Sequence, residues 1–121
     1  MTRLRSFAFA VLASAVAAGC GAHAPKPEAR IVATEGAIRG ASEAGATNVP
    51  KGALYLRLAQ EQRAAANTAM ANGDNTRAAL LLARAEADAE VAIALAREAE
   101  AEREAARAKA TIEDLDRQVT P

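Results

Sequence analysis

Cys20 is the only cysteine in the chain, and three small residues, Ala17, Ala18 and Gly19, stand directly before it. A thiol can close a disulfide, ligate a metal, attack a carbonyl or carry a covalent adduct, and the first three need partners. No second cysteine can pair with it, and the sole histidine, His23, sits among Ala, Pro and Lys residues without further ligands. Small residues ahead of the thiol suit chemistry done to it, because they let the backbone enter a narrow peptidase groove. Upstream, Arg3 and Arg5 precede an apolar run over residues 7–18. That is the anatomy of a cleaved export signal, and it is shorter than the roughly 20 apolar residues of a membrane span. The other dense set of chemical groups is Glu98, Glu100, Glu102 and Glu104, interleaved with Arg97, Arg103 and Arg107. At helical spacing Glu100 with Glu104 and Arg103 with Arg107 share a face, which reads as a solvated surface with ion pairs contributing about 0.3–0.5 kcal/mol each. There is no glycine-rich phosphate loop and no nucleophile beside a base. No enzyme activity, cofactor, metal or small-molecule substrate is expected.

The tetrad Ala17-Ala18-Gly19-Cys20 resembles the bacterial lipobox, whose usual form is Leu-Ala-Gly-Cys, with Ala17 in the place of leucine. The resemblance implies cleavage before Cys20, a thioether-linked diacylglycerol on its sulfur and an acyl chain on its new amine. Gly21 stands where aspartate accompanies inner-membrane retention in many Gram-negative lipoproteins. The implied address is the outer membrane, facing the periplasm. Each buried methylene contributes about 0.8 kcal/mol, and two lipid signals already give stable anchoring. The folded part then needs no membrane-binding surface of its own. The expected partners are the membrane, through the anchor, and an envelope protein or a second copy of the chain.

The chain divides into three segments: a signal peptide over residues 1–19, a lipidated cysteine and proline-rich tether over 20–27, and an alanine-rich helical domain over 28–121. Loss of Arg3 and Arg5 from a chain with fifteen basic and fifteen acidic residues leaves a charge of about −2, which argues against nucleic acid. Pro25 and Pro27 favour extended backbone, so the tether is expected to hold the domain about 20 Å off the bilayer. A first helix is expected over residues 28–46, where Gly36 and Gly40 form a GxxxG. Glu28, Arg30, Glu35, Arg39 and Glu43 make that a soluble helix contact or a weak helix rather than a membrane dimer motif. Gly45 and Thr47-Asn48-Val49-Pro50 break it, with Thr47 or Asn48 able to cap a second helix and Pro50 suited to its first turn. The second helix runs to about residue 71 with Leu54, Leu58, Ala65 and Ala69 on one stripe. Asn72-Gly73-Asp74-Asn75 ends it, with Gly73 left-handed and Asp74 or Asn75 capping the next helix.

The third helix, from about 75 to 117, is the longest and most regular. In heptads, Leu80, Ala87, Ala94, Ala101, Ala108 and Leu115 form one column, and Val91, Ala105, Ile112 and Val119 the next. This reads as the packing seam, interrupted by Arg84 and Glu98 in the second column. The expected fold is all-α: an alanine-rich three-helix bundle or helical hairpin with a long C-terminal helix, after a cleaved lipoprotein signal. Counted up, down and up, the third helix overshoots its neighbour and presents Ala105, Ala108, Ile112 and Leu115 as an interaction seam. Joined into one kinked arm, the first two helices would instead match it in length and return its end to the bilayer.

The Val49-Pro50 break, the Gly73-Asp74 turn and the run Ala85-Glu86-Ala87-Asp88-Ala89-Glu90-Val91-Ala92 resemble the domain-of-unknown-function 4398 family of bacterial envelope lipoproteins, over roughly residues 28–105. The resemblance implies an envelope address and a helical fold, but no activity. Asp88, the acid it matches, is expected to make a hydrogen bond at the bundle edge. Two functional readings stand: a lipid-anchored structural or interaction protein, and a tetratricopeptide-like adaptor or carrier. The second rests on Gly73-Asp74 followed by Arg77-Ala78-Ala79, and no 34-residue repeat accompanies it.

Overall fold

Helix punctuation in the sequence sets the architecture. The computed structural model describes residues 23–119: α1 (Glu28–Glu43), a 3-10 turn (Ala46–Asn48), α2 (Pro50–Ala71) and α3 (Asn75–Val119). The expectations for residues 1–22, including Ala17, Ala18, Gly19 and Cys20, lie outside the described residues. α1 ends earlier than residue 46 because Gly45 adopts the left-handed conformation, φ 81°, and donates to Ser42. Thr47 and Asn48 do not cap α2. The 3-10 turn absorbs them, the N-cap is extended Val49, and Pro50 removes one of the amides a cap would serve.

The α2–α3 reversal is as the sequence indicates. Gly73 takes φ 77°, and its amide donates to the Met70 carbonyl while the Asp74 amide donates to Ala69, a Schellman ending. The Asp74 carboxylate then accepts the Arg77 amide at 2.9 Å, so one residue closes α2 and caps α3.

Residue contacts give an up-down-up three-helix bundle. Ala66 and Ala69 of α2 pack with Ala78 and Leu82 of α3, and Leu56 of α2 packs with Ala92 and Ala96, so α2 and α3 are antiparallel. Ile31 of α1 joins the first group and Ala41 the second, so α1 runs parallel to α3. The two ends of the bundle are therefore clearly distinguished.

The buried seam of α3 is Ala78, Leu82, Ala85, Ala89, Ala92 and Ala96, spaced four and three. It is not the expected Leu80, Ala87, Ala94 column: Leu80 is 63% exposed and Val91 39%. The correction amounts to two positions, a rotation of about 200°. Both faces of α3 carry heptad-spaced alanines, and the neighbours pack on the one free of charge, whereas Arg84 and Glu98 interrupt the other. On α2 the buried face is Gly52, Leu56, Ala59, Ala66 and Ala69; Leu54 and Ala65 of the expected stripe face solvent.

The core is thin. Leu82 and Thr34 are its largest fully buried side chains, and alanine fills most other sites, which lets the helices approach closely. The Thr34 hydroxyl donates to the Leu82 carbonyl, 3.1 Å away across the α1–α3 contact. In the GxxxG, a Cβ at Gly40 would meet Ile93 Cδ1 at 3.5 Å, while Gly36 faces open space. Only one of the two glycines belongs to a helix contact.

Candidate interaction surface

Bundle packing stops at Ala96 and the half-buried Ala99, and beyond Glu102 α3 packs against no other element among the described residues. Residues 100–119 are all exposed. About 20 residues of lone helix make an arm of about 30 Å, the overshoot expected of the up-down-up arrangement.

The four candidate seam residues lie on this arm. Ala105, Ala108, Ile112 and Leu115 fall on one face at heptad spacing, with Ile112 60% and Leu115 54% exposed, and Val119 extends the same face at 80%. Ion pairs occupy the opposite side. Glu100 accepts from Arg103 at 3.1 Å and lies 3.6 Å from Arg107, while Asp114 lies 3.5 Å from Arg117. Of the interleaved acids and bases, Glu100, Arg103 and Arg107 thus pair along the outer face, as weak exposed pairs do.

The bundle's polar groups serve its own cohesion. Asp88 accepts a 2.6 Å hydrogen bond from Gln62 Nε2, joining α3 to α2 at the half-buried edge. Among the described residues Gln62 Oε1 has no hydrogen-bond partner. Arg63 of α2 pairs with Glu35 of α1 at 2.7 Å, and Arg30 of α1 lies 3.9 Å from Glu86 of α3. Val49, Pro50, Lys51, Leu95, Glu98, Ala99 and Glu102 line an open groove where the arm leaves the bundle. Among the described residues no group of three His, Cys, Asp or Glu residues could hold a metal ion, and no helix is long and apolar enough to cross a membrane.

The segment ahead of α1 is not a free tether. Asn75 Nδ2 donates to the Ala24 carbonyl at 2.6 Å, and His23 lies beside Gly73. Residues 23 and 24 are therefore held at the α2–α3 turn. The chain joins the bundle at one end, and the arm leaves it at the other.

Thr34, Gly52 and Gln62 matter to the assembly and do not stand out in the sequence. The signal at Thr34 and Gln62 is polarity at otherwise alanine-rich positions; Gly52 has no signal beyond being a glycine one residue past Lys51. The turn at Gly73 joins helices of 22 and 45 residues, unlike the matched helix pairs of tetratricopeptide repeats. No family model, curated protein or solved structure matches the chain.

Proposed function

We propose that this chain is a lipid-anchored envelope protein, held through Cys20 at the periplasmic side of the outer membrane, with a structural or protein-interaction role. The observation that carries the reading is polarity along the molecule: the segment after Cys20 docks at the α2–α3 turn, and the arm projects from the far end. An anchor at Cys20 puts the bundle next to the bilayer. The arm tip then stands about 68 Å away, the length of the 45-residue α3. Such a molecule carries a recognition surface away from its anchor; its chemistry is display rather than turnover. The small residues at 17–19 and the unpaired thiol support the anchor, and the exposed Ile112 and Leu115 support the interaction role.

The test is intact-mass analysis of the protein isolated from membranes. The expected species starts at Cys20 and carries a diacylglycerol and an acyl chain, and Cys20→Ser leaves the membrane fraction or remains as precursor. An unmodified thiol at Cys20 would overturn the anchored reading.

A further inference from the structure

The arm carries more than an apolar face. With Ala105, Ile112 and Val119 at heptad position a and Ala101, Ala108 and Leu115 at d, the charged residues sort by position. Glu100, Arg107 and Asp114 fall at c and Arg103 and Arg117 at f, and these five form ion pairs with one another along the arm. Arg97 and Glu104 fall at g, and Glu102 and Lys109 at e, the positions that flank a coiled-coil seam. Among the described residues these four take part in no ion pair.

We infer that the arm pairs with a second copy of this chain as a parallel, in-register, two-stranded coiled coil over residues 101–119. Charge complementarity fixes the orientation. In a parallel pair each g position faces the e position five residues further along the partner, so Arg97 meets the partner's Glu102 and Glu104 meets the partner's Lys109. Both contacts are attractive, and two-fold symmetry doubles them. An antiparallel pair centred on the arm sets Lys109 against the partner's Lys109 and Glu102 against the partner's Asp116, like charge against like. The seam residues agree with the charges: β-branched Ile112 and Val119 at a with Leu115 at d favour two parallel strands. Glu98 at the preceding a position would face the partner's Glu98, and Arg84 the partner's Arg84. Pairing therefore starts where the arm leaves the bundle, with Arg97 at its lower edge, and the two bundles splay apart below it.

This deepens the reading of the arm as an interaction surface and does not depend on the anchor. The test is sedimentation equilibrium of the full-length chain in density-matched detergent, with Lys109→Glu, Glu104→Lys and an equimolar mixture of the two. Each single variant sets like charges at positions 104 and 109 of the pair and should weaken dimerisation about tenfold or more. The mixture restores opposite charges at both contacts and should recover wild-type dimerisation. These side chains are exposed, and circular dichroism should show unchanged helix content. A wild-type chain that stays monomeric at the highest concentration reached, variants that match wild type, or a mixture that fails to recover each overturn the inference. The measurement is repeated with Cys20→Ser. A dimer that persists there shows that neither the thiol nor its lipid does the pairing, and one that is lost overturns the inference, while an unmodified thiol in the wild-type mass sinks only the anchor.

Discussion

The carbonyl oxygen of Ala46 lies 2.8 Å from the point where a Cβ on Gly52 would sit. The 3-10 turn thus rests directly on the first turn of α2, and hydrogen at position 52 is what leaves room for it. Gly52→Ala gains about 1 kcal/mol of helix propensity. It should nonetheless destabilise the protein by about 1–3 kcal/mol, because the obstacle is backbone and cannot rotate away. Gly36→Ala, in open space on α1, should stabilise by up to about 1 kcal/mol. Thermal melts of the two variants followed by circular dichroism should shift in opposite directions.

Ala85 is fully buried and Ala87, two residues on, is exposed. Ala85→Asp places an unpaired carboxylate between helices and should cost roughly 3 kcal/mol or more, enough to unfold a core this thin. Ala87→Asp should change stability by less than about 0.5 kcal/mol. Urea titrations giving equal losses would put α3 in the wrong rotation.

Asp74 closes one helix and caps the next, so Asp74→Ala removes the bond to the Arg77 amide and should cost about 1 kcal/mol. Asp74→Asn keeps an accepting oxygen and should recover most of it. An alanine variant as stable as wild type would show that the cap contributes nothing.

Spin labels at positions 29 and 116 report on the arm directly. α1 runs parallel to α3, so the labels sit near opposite ends of the molecule and should be about 50 Å apart. A separation near one helix diameter, about 10 Å, would mean that the arm folds back on the bundle.

Helix ends are legible in the sequence where a residue has one physical use. Gly73 and Asp74 mark a reversal because only glycine turns left-handed cheaply and aspartate caps; Pro50 marks a first turn because it lacks an amide. The seam is not legible from spacing, since alanine recurs on every face of α3 and burying it gains little on any of them. The clue is interruption: the column through Leu80 meets Arg84 and Glu98, while the column through Ala78, Leu82 and Ala85 meets no charge up to Ala99. Ile112 and Leu115 stand out on the arm because no other large apolar side chains surround them except Val119. The docking of Ala24 on Asn75 links positions 51 residues apart, and no local pattern announces it.

The arm inherits its first turns already wound. An isolated 20-residue peptide must nucleate a helix against a penalty of about 10⁻³, whereas here the bundle supplies the nucleus and each added residue needs only propagation, with a factor near 1–1.6 for good helix formers. Winding and unwinding therefore proceed from the Val119 end, one residue at a time, and not as a single cooperative step. Amide exchange along residues 100–119 should slow steadily toward the bundle. The reach of the molecule is then a graded quantity: warming shortens it turn by turn from the tip, and anything that grips Ile112 and Leu115 draws it out to full length.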